Sequence, residues 1–394
     1  MENKHYGITI LALLLTACSS THTLEKRVTK ENYRAVSIET QQDKKAEPFR
    51  IWPDGGVDFL LSKEDNSTPL KVKGDRFNIL ALSGGGANGA YGAGIINGLH
   101  DSGRLNEYTV VTGISAGALM APFVFIGGDE ISHLKAVTLG MDDSMVLGSG
   151  NIINALIKDA FSDGNDMFRF IEQVYTEQII EKMAVEHRAG RRLFIGTSHF
   201  DSDELVIWNI GAIAQSDLPN KVHLIHQVLT ASASIPGVFP PQFIDVNYQG
   251  DTFEELHVDG GMSAQVFFKP GHLDYSKINI ALGLTTTPRV DVIRNGVFTA
   301  RYHSTQDKGV ELLKRSVDSM VVQQSMGDLY RMLYFSEVEH LALFFTQIEE
   351  DFQGKKSTQD MFDLHYMNAL YEYGYAKAIR GNVWKEGSQS IYPR

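Results

Sequence analysis

Apolar runs that alternate with glycine-rich turns form the clearest pattern in the chain. Residues 77–82 are almost continuously apolar, which predicts a buried strand, and a run of glycines follows directly. Tyr91, Ile95 and Leu99 then recur every four residues, which predicts a helix with one apolar face. A second apolar run, residues 108–111, leads into another glycine turn and another helix. This order of strands, glycine turns and helices predicts a mainly parallel α/β fold.

The rest of the chain alternates between further predicted helices and strands. Helical patterns occupy residues 151–160, 166–187 and 222–231. Apolar runs bounded by turn residues predict strands at residues 192–200, 205–210, 243–248, 255–258 and 278–284, with a hairpin at 243–258. From about residue 304 the pattern is mainly helical, and without a clear linker we expect this region to pack on the core. Close packing of the first helix against a neighbour is indicated by Gly92, Gly94 and Gly98.

Composition and charge narrow the class of protein. The 394 residues are 43% hydrophobic and 21% charged, which suits a globular protein of one large domain or two smaller ones. The formal net charge of −12 argues against binding to nucleic acid and against electrostatic docking on anionic lipid. The chain has one cysteine, so an intrachain disulfide is excluded.

That cysteine, Cys18, follows a predicted leader. Residues 8–17 are apolar, too short to span a membrane, and suited to the core of a signal peptide. The Leu-Thr-Ala sequence before Cys18 resembles a bacterial lipobox, where the leader is removed and the cysteine is acylated; an ordinary signal peptide with a chance cysteine is the alternative. We expect residues 1–17 to be a lipoprotein signal peptide and Cys18 to anchor the protein in the bacterial cell envelope. The residue after the cysteine is Ser19 and not aspartate, which predicts sorting of the lipoprotein to the outer membrane.

The second glycine turn contains a candidate nucleophile. The sequence Gly113-Ile114-Ser115-Ala116-Gly117 lies between a predicted strand and a predicted helix. Glycines allow a bend sharp enough to push the serine hydroxyl out of the sheet, towards the helix start, where negative charge is favoured. Taken alone, the pentapeptide fits a glycine-rich helix start with a capping serine equally well.

The first glycine loop allows three interpretations, and its sequence is Gly84-Gly85-Gly86-Ala87-Asn88-Gly89. A dinucleotide fingerprint requires an acidic residue at the end of the second strand, which ends instead in the serine turn. A phosphate-binding loop requires Gly-Lys-Ser/Thr where Ala90-Tyr91 stands. The third interpretation is an oxyanion hole, because consecutive glycines at a helix start expose backbone N–H groups. Only this third interpretation uses the serine turn.

An aspartate later in the chain completes a recognisable combination. Asp259-Gly260-Gly261 follows an apolar strand, and by itself it favours a simple turn. The glycine loop, the G-x-S-x-G turn and this aspartate, in this order, resemble the patatin-like phospholipase family. The resemblance covers about residues 76–290 and includes the segment 231–241, and residues 362–375 also resemble bacterial members.

The resemblance implies a three-layer α/β/α fold with a mainly parallel central sheet, and hydrolysis of lipid acyl esters by a Ser-Asp dyad. It implies that Ser115 is the nucleophile, that Asp259 accepts its proton, and that the oxyanion hole is formed by the N–H groups of Gly84, Gly85 and Gly86. It implies no metal, cofactor or nucleotide, and a membrane lipid or other acyl ester as substrate. Asn88 departs from the family pattern, which usually has Arg or Lys there, so preference for charged headgroups is in doubt.

Two alternatives stay open at this point. A conventional Ser-His-Asp hydrolase would take its base from His272, His303 or His340, and a non-catalytic lipoprotein would keep the fold as a binding module. From the sequence and the resemblance we expect four parts: a leader at residues 1–17, a polar tether with a partly docked segment at 18–75, a patatin-like catalytic domain at 76–290, and a mainly helical C-terminal extension at 291–394.

Overall fold

The structure, a computed structural model, describes residues 26–38, 47–62, 64–143, 166–299, 302, 304–358 and 360–387. Its strands are β1 (Arg50–Ile51), β2 (Asn78–Leu82), β3 (Val110–Ile114), β4 (Arg192–His199), β5 (Glu204–Asn209), β6 (Gln242–Tyr248), β7 (Asp251–Asp259), β8 (Arg289–Ile293), β9 (Ala342–Thr346) and β10 (Lys385–Glu386). Its α-helices are α1 (Gly89–Asp101), α2 (Ala116–Ile126), α3 (His133–Leu139), α4 (Asp166–Val174), α5 (Glu177–Arg188), α6 (Ile210–Gln215), α7 (Lys221–Ala233), α8 (Tyr275–Ala281), α9 (Gly309–Val338) and α10 (Leu364–Arg380). The predicted leader, Cys18, the helix predicted at 151–160 and His303 lie outside the described residues.

One sheet organises the described part of the chain. Its strands follow the order β1-β5-β4-β3-β2-β8-β9-β10, and the β6–β7 hairpin joins it where β7 pairs with β4. The five middle strands, from β4 to β9, are mutually parallel, and the antiparallel pairs lie towards the edges. The predicted α/β fold with a mainly parallel central sheet is therefore confirmed. Because the carboxyl ends of β2 and β3 are neighbours, the two glycine turns that follow them meet at one edge.

Helices cover both faces of the sheet and form the outer layers. On one face, Leu80 and Leu82 of β2 pack into a core with α1, α2, α7 and α10. On the other face, Ile79 and Ala81 pack with α8 and the second half of α9. The first helix packs very closely on α10, because a Cβ on Gly94 would overlap the Tyr371 carbonyl. Gly94 and Gly98 thus allow the close approach of α10, whereas a Cβ on Gly92 would be 2.4 Å from Asn295 Oδ1.

Two predicted elements differ from the structure. The strand predicted at 278–284 is wrong, because α8 occupies Tyr275–Ala281 and Asp274 caps it by accepting a hydrogen bond from Lys277 N at 3.1 Å. A short apolar run fits a buried strand or a buried helix turn, and here the helix cap decides. The helix predicted at 166–187 is divided into α4 and α5, because Thr176 between them is extended.

Both ends of the described chain contribute to the same body. Val28 and Val36 are buried against Val246 of the β6–β7 hairpin, and β1 pairs with β5. At the other end, β9 follows α9 and precedes α10 along the chain, and it adds a parallel strand beside β8. The four domain boundaries drawn from the sequence stay predictions. No helix within the described residues is both long enough and apolar enough to cross a membrane.

Candidate active site

Ser115 lies in a strained turn between β3 and α2. Its φ of 53° is rare for a residue with a side chain. Ser115 is buried, with 5% of its surface exposed. Both flanking positions must be glycine because a side chain would clash there. A Cβ on Gly113 would be 2.6 Å from Gly117 O, and a Cβ on Gly117 would overlap the Leu82 carbonyl. Such strain persists only where the surroundings impose it, and it is frequent at functional sites. The predicted sharp turn is therefore present.

Asp259 reaches the same place from the last residue of β7. Its Oδ2 accepts a hydrogen bond from Ser115 Oγ at 2.6 Å, and its Oδ1 accepts one from Gly261 N at 2.7 Å. A Cβ on Gly261 would be 2.9 Å from Asp259 Oδ1, so glycine is needed for this turn to close. The structure thus brings together the two residues that the sequence marked as nucleophile and proton acceptor.

Burial changes the acidity of this carboxyl group. It raises the pKa of Asp259 to about 7, although the hydrogen bonds from Ser115 and Gly261 partly oppose the rise. A carboxylate with a pKa near neutrality can accept and return a proton at physiological pH. The electrostatics of the site therefore permit base chemistry by an aspartate.

His257, two residues before Asp259, makes its contacts elsewhere. His257 is buried, with Nδ1 3.0 Å from Thr197 Oγ1 and Nε2 3.1 Å from Glu255 Oε2. Among the described residues, no imidazole lies within hydrogen-bond distance of Ser115 Oγ or of the Asp259 carboxylate. This includes His272 and His340, two of the three histidines considered for a conventional triad.

The first glycine loop passes beside Ser115. A Cβ on Gly84 would be 3.2 Å from Ser115 Cβ, and one on Gly89 would be 2.9 Å from Ala116 Cβ. Gly84 N already donates to Gln265 O at 3.0 Å, so its N–H is not free for a ligand. In the described part of the chain, neither Gly85 N nor Gly86 N has a hydrogen-bond acceptor. Of the three glycines predicted for the oxyanion hole, Gly85 and Gly86 therefore have N–H groups available to a ligand, and the oxyanion hole itself stays a prediction.

A buried pair of residues that was not predicted from the sequence holds the glycine loop from behind. Arg294 Nη1 donates to Gly84 O at 2.8 Å and to Ser83 Oγ at 3.2 Å. Asn295 donates from its backbone N to Ser83 Oγ and from Nδ2 to Ser83 O, both at 2.8 Å. Arg294 is 3% exposed, and burial lowers its pKa to about 10. Their position directly after a buried strand was the available signal, because β8 ends beside β2.

The end of α7 connects the two candidate residues. Ser115 N donates to Ser232 Oγ at 3.0 Å, and Ser232 Oγ donates to Gly196 O at 2.7 Å. Asp259 N donates to Ser234 O at 2.9 Å. The segment 231–241, which resembles part of the patatin-like family, therefore includes residues that hold both backbones in place.

Asn88 takes part in a contact with the C-terminal helix. Its Oδ1 accepts a hydrogen bond from Tyr366 OH at 2.9 Å. Asn88 thus ties the glycine loop to α10. A separate cleft of about 500 Å³ is lined in part by Ser263 and Asp328, but neither Ser115 nor Asp259 lines it.

A parallel α/β sheet, a glycine loop and a buried serine–aspartate pair at the carboxyl ends of the strands define a candidate serine hydrolase without a histidine base. In a comparison with protein families, residues 80–270 match the model of the patatin-like phospholipases. This part of the chain belongs to the patatin-like phospholipase family.

Individual relatives are distant. The uncharacterized protein R571 of Acanthamoeba polyphaga mimivirus is 24% identical over 196 residues, which are 49% of this chain and 63% of that protein. The crystal structure of VipD from Legionella pneumophila aligns with 89% of this chain and 73% of its own, at 14% identity and a TM-score of 0.39. The type III effector ExoU aligns with 79% of this chain and 55% of its own, at 14% identity and a TM-score of 0.34.

Proposed function

We propose that the protein hydrolyses acyl esters of lipids, as a phospholipase A, lysophospholipase or related carboxylic ester hydrolase. The observation that carries this proposal is the 2.6 Å hydrogen bond from Ser115 Oγ to Asp259 Oδ2, made by two buried residues inside a patatin-like domain. A serine paired directly with a carboxylate of raised pKa is suited to acyl transfer.

In the first step, Ser115 Oγ attacks the carbonyl carbon of the ester while its proton passes to Asp259 Oδ2. The tetrahedral intermediate then collapses, the bond to the leaving alcohol breaks, and Asp259 returns the proton to that alcohol. The strained turn at Ser115 keeps the hydroxyl in place before substrate arrives. The product of this step is an acyl-enzyme on Ser115.

The negative charge that develops on the carbonyl oxygen needs donors nearby. Gly85 N and Gly86 N are the two candidates, and Gly84 contributes by its lack of a side chain beside Ser115. Arg294 and Asn295 hold this loop through Ser83 and Gly84 O, so the donors are fixed before the reaction. Such preorganised donors usually make the largest single contribution to catalysis of this kind.

A water molecule then attacks the acyl-enzyme. Asp259 accepts a proton from this water and returns it to Ser115 Oγ, and the fatty acid leaves. The same carboxylate therefore serves both half-reactions.

The decisive experiment compares turnover of a fluorogenic acyl ester by the wild type, Ser115→Ala and Asp259→Asn. Both variants should lose activity to the same extent, because the two residues act as a unit and removing either one disables the pair. Alanine variants of His257, His272, His303 and His340 are the controls, and each should stay within about tenfold of wild type. One histidine whose loss equals that of Ser115, in a folded variant, would favour the conventional triad. Inactivity of the wild type on every ester would favour a binding module.

We also propose that Cys18 anchors the protein in the bacterial cell envelope, at the outer membrane. The sequence around the only cysteine supports this proposal, and several acyl chains on one residue give stable anchoring. Membrane lipids would then be the substrates within reach.

A further inference from the structure

An exposed apolar row runs along the first half of α9. Leu313, Val317 and Met320 are 61%, 53% and 70% exposed, and their spacing of four and three residues places them on one side of the helix. Leu312 beside them is also exposed. The second half of the helix buries Leu329 in the core, so the helix is held to the body there. Scattered apolar side chains are normal on a soluble surface, but a contiguous row indicates a contact site.

This row leads directly to the candidate active site. Gln324 lies on the same side of α9, one turn after Met320, and its Nε2 donates to Met262 O at 3.3 Å. Met262 follows Asp259 by three residues and is itself 56% exposed. A helix rises about 1.5 Å per residue, so the stretch from Leu313 to Gln324 spans about 16 Å along α9.

The glycine loop brings further apolar groups to the same site. A Cβ on Gly86 would be 3.6 Å from Met361 Cε, and Leu364 nearby in the sequence is largely exposed. The apolar side chain of Met361 therefore lies beside a candidate oxyanion donor, and the exposed Met262 follows Asp259 closely in the chain. A surface that covered this region would be favourable only if it were apolar itself.

We propose that the α9 row, defined as Leu312, Leu313, Val317 and Met320, docks together with Met262 on a zwitterionic lipid surface. The inference rests on the proposed lipid hydrolase activity and names the physical state of its substrate. Docking in this place presents the ester bonds of the surface lipids to Ser115.

Charge identifies the kind of lipid surface. Residues 308–324 contain three basic and two acidic residues, whereas the whole chain has a net charge of −12. An apolar helix face within a stretch of little net charge is suited to a membrane interface that carries no net charge itself. The acidic rest of the protein opposes attraction to anionic lipid. The contact is therefore apolar, and salt should hardly affect it.

A vesicle-binding experiment tests the docking apart from the chemistry. The chain without the predicted leader, residues 18–394, keeps every described residue; it carries Cys18→Ser, to remove the proposed anchor, and Ser115→Ala, to prevent turnover, and is floated with phosphatidylcholine vesicles at low and high salt. The test variant adds Leu313→Ser, Val317→Ser and Met320→Ser, and a milder variant adds Met320→Gln alone. The matched control adds Ile280→Ser and Ile379→Ser, two exposed apolar residues on α8 and α10.

The parent and the control should bind at both salt concentrations, the triple variant should bind at least about tenfold more weakly, and Met320→Gln should be intermediate. With Ser115 restored, the triple variant should lose turnover of vesicle ester but keep that of a monodisperse short-chain ester. Three results would overturn the docking proposal: equal binding by the triple variant and the parent, no binding by the parent, or binding that high salt abolishes.

Sedimentation tests the remaining occupant. If the parent is a dimer and the triple variant is a monomer, the row contacts a second copy of the chain, and the docking proposal is overturned as well. Failure of the proposed function is a separate result, because it appears as inactivity on both esters whatever the vesicles show.

Discussion

The carboxyl group of Asp259 should set the pH dependence of the proposed reaction. Burial raises its pKa to about 7, and only the ionised form can accept the Ser115 proton. We therefore expect kcat/KM to fall about tenfold per pH unit below pH 7 and to level off above it. A pH–rate profile with a soluble short-chain ester measures this. An acidic limb centred near pH 4 would mean that the carboxyl group is not held in an apolar environment.

The same burial should make Asp259 destabilising at high pH. Its pKa is higher in the folded protein than in the unfolded chain, so its contribution to stability is fully present below about pH 4 and is lost as the pH rises through about 7. Asp259→Asn should thus be more stable than wild type at pH 8, by up to about 4 kcal/mol, with no such gain at pH 4. Urea unfolding at both pH values measures the difference. Asp251→Asn, at the exposed start of the same strand, is the control and should change stability by less than about 0.5 kcal/mol at either pH.

Arg294 should affect catalysis although it does not touch Ser115. Arg294→Met removes the donors to Ser83 Oγ and Gly84 O and frees the glycine loop to shift. We expect kcat to fall by roughly tenfold or more, with KM changed less, because misplaced oxyanion donors weaken the transition state most. Arg294→Lys should recover part of kcat.

Arg289→Met is the matched control for this variant. Arg289 lies at the other end of β8, where its Nε donates to Asp291 Oδ1 at 2.8 Å. Its loss should lower stability but leave the kinetics of the folded enzyme unchanged. Equal effects of both variants on kcat would mean that Arg294 acts through stability alone.

At the scale of elements, the contact of α1 with α10 should tolerate no added atom. Gly94→Ala places a methyl group on the Tyr371 carbonyl, so we expect a loss of about 3 kcal/mol in unfolding free energy. Gly327→Ala in α9 is the opposite case, because a Cβ there meets nothing within 4 Å and alanine favours helix by roughly 0.5–1 kcal/mol. Thermal and urea unfolding of both variants check the pair. Destabilisation by Gly327→Ala, or none by Gly94→Ala, would contradict this account of the two helices.

Elements whose chemistry is local were predictable from the sequence. Each of the serine and aspartate turns alone fits a simple local turn, so Ser115 and Asp259 could be paired beforehand only because the motifs together, in this order, resemble the patatin-like phospholipase family. The occupied N–H of Gly84 could not be predicted, because its acceptor is Gln265 on a distant loop. Arg294 was missed for the same reason, since Ser83 precedes it by 211 residues. Helix α8 was taken for a strand because a short apolar run has no decisive period.

At the scale of the whole molecule, the proposed anchor makes a prediction about location. Cys18→Ser should leave the protein uncleaved or soluble, and fractionation with palmitate labelling tests this. Outer-membrane fractionation that persists in Cys18→Ser, together with an unlabelled wild type, would contradict acylation.

The docking of the N-terminal segment on the β6–β7 hairpin limits how far an anchored protein could move. Arg27 pairs with Glu254 in a parallel bridge, and Lys26 Nζ is 2.8 Å from Asp251 Oδ2. Only seven residues, 19–25, separate Cys18 from this docked segment. Even fully extended, a linker of this length places Cys18 at most about 30 Å from the docked segment. An anchored enzyme would therefore reach only the lipids of its own membrane. A longer reach would require the segment 26–38 to dissociate from the hairpin that carries Asp259.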